Sequence, residues 1–413
     1  MSIGLMRTSK SSSWVPGTVL LGLAAFITIV LIPRTQHGLT SRVALLSGTS
    51  ESSVPLPSSL TLTLAAALCA MLGVLRLLRS FGRRTTLLVV AGVVIFVFAV
   101  LVWASRGQTL SLPGLLQSTL LRSVPITLGA LSGVLCERSG VINVAIEAQM
   151  LMGAFLSAIV GSITGSPWVG LAAGAAGGGV IGWLLAVLAI RYRVDQIIAG
   201  FALNILVVGL TSYLASELLQ SSPDLNSTEL LPVVRIPLLA DIPMLGQVLF
   251  DNNVLVYLMF VILALAHVGL FHTRWGLRVR AVGEHPRAAD TVGINPLRIR
   301  YQNVVLGGIV AGIGGAYFVL GSVGRFDQNM TGGRGYIALV AVILGGWAPL
   351  PAFGAALVFG FADAIQTIFG VLNAKVPAEF LLMVPYIATI IAVTVIARRA
   401  KAPAADGIPY IRE

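Results

Sequence analysis

Two carboxylates stand inside stretches that are otherwise apolar: Glu147, within Ile142-Asn-Val-Ala-Ile-Glu-Ala-Gln149, and Asp363. An ionisable group in such surroundings is costly to desolvate, so it points to function or to a partner that neutralises it. Asn143 and Gln149 flank Glu147, Gln366 lies three residues after Asp363 on the same helical face, and Asn204 is a further amide in an apolar run. Two chemistries fit this set. The groups can line a pathway and hydrogen-bond a hydroxylated solute in transit, or they can pair with one another or with Arg138 to lock helices together. A third use, open to the two carboxylates alone, is a proton or sodium relay.

Other chemistries lack their residues. No Gly-x-x-x-x-Gly-Lys-Ser/Thr phosphate loop occurs, and none of Lys10, Lys375 and Lys401 follows a glycine. The run Gly312-Ile-Gly314-Gly315 lies in an apolar span without a preceding strand, which makes it helix packing. His37, His267, His272 and His285 show no metal-ligand spacing, and Cys69 and Cys136 read as buried small side chains. No metal site, catalytic triad or bound cofactor is expected, and the chain does not read as an enzyme. Its basic residues fall in short clusters between apolar runs, which is no nucleic-acid footprint.

The composition says what must hold these groups. Of 413 residues 56% are hydrophobic and 10% charged, against about a quarter charged in a globular chain. Mean hydropathy is +0.93. A soluble enzyme, a secreted disulfide scaffold and a disordered chain are all excluded. At about 20 apolar residues per crossing, the material suffices for about 10–12 transmembrane helices. The expectation is an all-α, polytopic integral membrane protein with one or more short or re-entrant helices.

Apolar runs fall near 15–32, 58–75, 86–104, 118–135, 141–163, 168–190, 196–216, 253–272, 301–320, 336–347, 351–370 and 380–397. The first is too long for a signal-peptide core and lacks a cleavage site, so it reads as a membrane helix. The tenth is too short to span and is expected to be a half-helix packed on protein or lining a cavity. With the N-terminus inside and the spans alternating, 19 of the 27 Lys and Arg face the cytoplasm. Both termini are therefore expected there. The 24 Arg against three Lys suggest a GC-rich bacterial genome, hence a bacterial inner membrane.

Gly170, Gly174, Gly178 and Gly182 recur every fourth residue, with Gly308 and Gly312 echoing them. The four are expected to form one stripe on which another helix can lie backbone to backbone. Two long connections bear structure of their own. Residues 217–252, expected outside, hold five acids against Arg235. Residues 273–300, expected inside, hold six Arg and a short helix signal: Pro286 suits its first position and Gly293 its end. Ala288, Ala289 and Val292 are expected to share its small apolar face, fit either for a groove on a cytoplasmic partner or for lipid headgroups. Trp183, Tyr317 and Trp347 are candidates for stacking on a base, or for packing.

Four segments in order then carry a resemblance. Glu137-Arg-Ser-Gly-Val-Ile-Asn-Val-Ala-Ile-Glu147, continuing to Met150-Leu-Met-Gly-Ala-Phe155, resembles the permease subunits of bacterial ABC importers for nucleosides and simple sugars, within the ribose and branched-chain amino-acid permease family. Residues 236–246 look like that family's outer segment, 276–294 like its cytoplasmic coupling segment, and 335–347 like its late short helix. Ala148 departs from the glycine the family often has after the glutamate. The resemblance covers 113–398 as permease core, leaving 1–112 as an extension with about three transmembrane helices and 399–413 as a cytoplasmic tail.

What the resemblance implies is a division of labour. A cytoplasmic ABC ATPase would use ATP and Mg and couple through Glu284, His285, Pro286, Ala288, Ala289 and Gly293. An extracytoplasmic solute-binding protein would dock outside, and a second homologous permease would share the pathway. The rival reading is an ion-coupled secondary transporter carrying its ion on Glu147 and Asp363, which has no reason to keep the segment 276–294.

Overall fold

The structure is a computed structural model and describes residues 14–35, 39–44, 53–78, 85–372, 383 and 401–411. The expected run at 380–397 and the N-terminal Arg7 and Lys10 lie outside the described residues, residue 383 excepted. Among the described residues nine helices are long and apolar enough to cross a membrane, and two shorter apolar helices accompany them. The protein is therefore an all-α, multi-pass membrane protein. Among the described residues the strands are no longer than five residues and sit in connections.

The chain divides into two compact units: residues 1–114 with 367–377, and residues 115–366 with 378–413. In the first, α1 (Val15–Phe26), α2 (Ser58–Leu78) and α3 (Thr85–Ala104) pack on one another. Gly17 and Gly73 let α1 and α2 approach closely, the carbonyl oxygen of Gly17 lying 3.1 Å from where a Gly73 methyl would stand. The strands β1 (Thr40–Ala44), β2 (Ser53–Pro57) and β3 (Thr109–Ser111) form a small sheet in the order β2-β1-β3, with β1 antiparallel to β2 and parallel to β3.

The second unit is built on α4 (Leu112–Glu137), followed by α5 (Ile146–Thr164), α6 (Pro167–Ala186) and α7 (Gln196–Leu214). Next come β4 (Val233–Arg235), α8 (Leu245–Phe250) and β5 (Asp251–Asn253), then α9 (Val254–His272), α10 (Arg274–Glu284) and α11 (Pro286–Thr291). The sequence of helices closes with α12 (Pro296–Phe318), α13 (Arg334–Leu344) and α14 (Pro349–Val371). Of the apolar window in α4, 89% is buried, against 33% in α7 and α9. So α4 is the central post, while α7 and α9 present their sides outward.

Small residues explain how the helices around α4 come so close, but the glycine stripe of α6 does not serve a single partner as expected. Gly170 meets α5: a methyl there would stand 2.7 Å from the Ser157 carbonyl oxygen and 3.0 Å from the Gly161 Cα. Gly174 also faces α5, at the Gly153 carbonyl, whereas Gly182 faces the Val304 carbonyl of α12, each 2.8 Å from where a methyl would stand. Gly178 meets Gly308 and Gly312 of α12 in the same way. The reason is the helical repeat. At 3.6 residues per turn, a four-residue spacing advances about 40° per step, so the stripe winds from one neighbour to the next. In lipid, where apolar surface gains little by leaving its solvent, such van der Waals contact is what drives helices together. The α6 and α12 helices each close in a wider π turn, over Val187–Arg191 and Val319–Val323.

Candidate functional site

The short run expected near 336–347 is α13, eleven residues long and half the length of its neighbours. The chain reaches it through Asn329, Gly332 and Gly333, all at positive φ, a bend that glycine makes without strain. The bend turns the free N–H groups at the start of α13 toward Glu147. That carboxylate accepts hydrogen bonds from the Thr331 hydroxyl (2.6 Å), the Gly333 amide (2.8 Å) and the Gly335 amide (2.6 Å). An anion at a helix N-terminus satisfies orphan donors and opposes the positive end of the helix dipole. Gly335 has no substitute here, because a methyl would stand 2.5 Å from the Glu147 nitrogen and 2.7 Å from its carboxylate.

Asp363 of α14 secures the other side of the same helix start. Its Oδ2 accepts from Arg122 of α4 at 3.0 Å and from Arg334, the first residue of α13, at 3.1 Å. The Arg334 guanidinium also bonds the Thr331 carbonyl and lies over the Phe318 ring. The Asp363 side chain is only 14% exposed, so the ion pairs offset a real desolvation cost. Two carboxylates distant in sequence thus hold one half-helix from opposite sides.

A cavity borders each side. One of about 600 Å³ is lined by Glu147, Asn329, Gly333, Tyr336, Ile337 and Val340. The other, of about 460 Å³, holds Arg122, Tyr317, Asp327, Arg334 and Asp363. The Tyr336 ring in the first stacks on Phe201, centroids 6.3 Å apart, and its hydroxyl accepts from Asn204 at 3.2 Å. A carboxylate has about four acceptor directions. The helix start occupies three of Glu147's, leaving one unused among these bonds.

The expected pathway residues divide accordingly. Glu147 lines a cavity and so does Asp363. Asn143 and Gln149 do not: both are fully buried and bond each other (3.0 and 3.3 Å) and Ser132. Asn204 is also buried and is a lock, accepting from the Ala148 amide and donating to the Val144 carbonyl, both at 2.9 Å. It reaches the first cavity only through Tyr336. Gln366 is half-buried and lies outside the lining of both cavities. An amide in a membrane interior bonds whatever protein partner it meets, and for Asn143, Gln149 and Asn204 that partner is the fold itself.

Two of the alternatives left open are decided. Arg138 does not meet Glu147; it donates to the carbonyls of Trp347 and Gly346. Trp347 is not free to stack, since its indole N–H donates to the buried Glu137 carboxylate. Trp183 is half-exposed in a shallow cavity beside Trp275 and Tyr301, and Tyr317 lines the second cavity. Tyr336 and Arg122 were not singled out by sequence. Tyr336 sits within the recognised 335–347 segment, which was its available signal.

At the end of α4 an arginine-rich extremity forms: Arg138 and Arg280 stand over the Phe271 ring, Arg300 donates to the Ser139 carbonyl, and Arg274, Arg278, Arg287 and Arg298 lie in the same α10–α12 stretch of chain. Here α11 begins at Pro286 and gives way to Gly293 at φ +84°. Glu284, His285, Ala288 and Val292 are exposed, but Ala289 is 3% exposed and packs inward. The three apolar residues therefore do not form one exposed face: Ala289 turns inward, and Val292 lies past the last helical residue, at the cap. Asp406, in the C-terminal segment beside Arg300, has its carboxyl raised to about 7 by burial, with the Arg300 charge opposing.

A family profile described as the branched-chain amino acid transport system / permease component matches residues 115–393. The chain is 39% identical over 306 residues to the guanosine ABC transporter permease protein NupQ of Bacillus subtilis, covering 71% of this chain and 95% of that one. It is 36% identical over 302 residues to the nucleoside ABC transporter permease protein NupC of Lactococcus lactis, with the same coverage, 71% and 95%. A second Lactococcus protein, the nucleoside ABC transporter permease protein NupB, is 23% identical over 293 residues, 68% of this chain and 76% of that one. No solved structure matches the chain.

Proposed function

The chain belongs to the branched-chain amino acid transport system permease family, and from that premise we propose that it forms one half of the membrane pathway of an ATP-driven importer for nucleosides. The family is one of transport components rather than catalysts. The observation that carries the reading is the similarity to a guanosine and a nucleoside ABC transporter permease along 95% of their length. The site supports it. The cavity beside α13 offers an aromatic ring at Tyr336 for a base, and one free acceptor direction on Glu147 for a hydroxyl.

The partners follow. Resemblance to both NupC and NupB, at 36% and 23%, favours a second and diverged permease as the other half of the pathway. A cytoplasmic ABC ATPase engages α11, and an extracytoplasmic solute-binding protein engages 217–252. ATP and Mg belong to that ATPase; this chain holds no cofactor of its own. The arginine-rich extremity faces the cytoplasm of a bacterial inner membrane, with both termini on that side. An ion-coupled carrier is not favoured: Glu147 is engaged by three donors and Asp363 by two arginines, so both carboxylates are occupied in holding the start of α13.

The test is ATP hydrolysis by the reconstituted complex, binding protein included, across purine nucleosides, pyrimidine nucleosides and simple sugars. Stimulation by at least one nucleoside and by no sugar is expected. Stimulation by sugars alone would overturn the substrate class.

A further inference from the structure

The C-terminal segment, residues 401–411, has no regular secondary structure, yet it bonds to the helices beside it. Its backbone is tied to α10 and α12, and a side chain ties it to α11. The Ala405 amide donates to the Gly283 carbonyl at the end of α10 (2.9 Å), and the Ala404 amide to the Glu284 carboxylate (3.1 Å). Arg300 of α12, 2% exposed, donates to the carbonyls of Ile408 (2.8 Å) and Ala405 (3.3 Å), and to Ser139 (3.1 Å). The Tyr410 hydroxyl meets the Asp290 carboxylate of α11 at 2.8 Å. Departure of the segment would leave the buried guanidinium with only the Ser139 carbonyl of these acceptors, a costly state.

Between this segment and α11 runs a cleft of about 630 Å³, with His285, Arg287 and Ala288 on one wall and Ile408, Pro409 and Ile411 on the other. Ile408 and Ile411 are 56% and 52% exposed, and Val292 at the tip of α11 is 74% exposed. These apolar side chains project from the arginine-rich extremity, not from a membrane-spanning helix, so lipid tails do not account for them. Glu284 beside Arg287 gives the wall charges of both signs, which suits a protein edge better than an anionic headgroup.

We propose that the C-terminal segment is the second wall of the ATPase docking cleft, so that the ATPase grips α11 and residues 408–411 together. The proposal rests on the coupling role of α11 given above. The segment also fixes where α11 stands, through Tyr410 and Asp290.

The experiment uses the whole complex in membranes. Ala288→Glu tests α11; Ile408→Glu with Ile411→Glu tests the segment while sparing its backbone bonds. A photoreactive residue at position 411 reports what lies there. Loss of co-purified ATPase by about tenfold or more in both variants, with an ATPase adduct from position 411, is the expected result. Loss with Ala288→Glu but full retention in the double isoleucine variant overturns the second wall and leaves the α11 reading intact. Retention in both variants overturns the α11 reading as well. An adduct to lipid alone assigns the cleft to the membrane surface and overturns the proposal.

Discussion

At the scale of single residues the account turns on Glu147. Its three hydrogen bonds to the start of α13 are charge-assisted, each stronger than a neutral bond. Glu147→Gln keeps the shape but turns an NH2 group toward backbone donors. We expect a stability loss of about 1–3 kcal/mol and a fall in nucleoside-stimulated ATP hydrolysis of about tenfold or more, read by detergent-solution melting and by turnover. Gly335→Ala, which drives a methyl into the same carboxylate, should act in the same direction.

A second residue prediction concerns pH. The Asp406 carboxyl sits above its ordinary value, so the docked segment binds protons more tightly than the free one. Docking is then strongest below about pH 4, weakens as pH rises toward about 7 and is level above that. Hydrogen exchange of residues 401–411, corrected for intrinsic chemistry, should follow that course, and Asp406→Asn should flatten it.

At the scale of elements, the glycine contacts between α6 and α12 are the most exacting. Gly178→Ala or Gly312→Ala forces apart backbones already in contact, and about 1–3 kcal/mol of destabilisation is expected on thermal unfolding. The half-helix depends on Asp363 as well: Asp363→Ala would leave Arg122 and Arg334 facing each other, at a cost of about 3–5 kcal/mol. Much at this scale was legible in the sequence. Apolar run length located the described spans to within a few residues, and its shortness marked α13. Pro286 and Gly293 bracketed α11. Where local pattern carries no information, reading failed. The glycine spacing announced close packing but not that Gly170 and Gly178 would serve different helices. Nothing near Asp363 announces Arg122, which is 241 residues away. Amides at Asn143, Gln149 and Asn204 look alike whether they face a solute or a neighbouring helix, and only the fold separates the two. Nothing in the sequence around Glu137, at the very end of α4, announces Trp347, 210 residues on, as its partner.

At the scale of the whole molecule, the resemblance carried the function and composition carried the class. The sequence marks 399–413 only as a cytoplasmic tail outside the recognised core, and the contacts of residues 401–411 with α10, α11 and α12 join residues more than 100 positions apart, which no local pattern announces. The central claim is that this chain moves its solute by a partner's ATP hydrolysis and not by an ion gradient. The most direct test is uptake of a labelled nucleoside into proteoliposomes holding this chain with its second permease and ATPase. The account predicts uptake that requires ATP and the binding protein and is indifferent to collapse of proton and sodium gradients. Uptake by this chain alone, driven by either gradient and lost when Glu147 or Asp363 is neutralised, would contradict it.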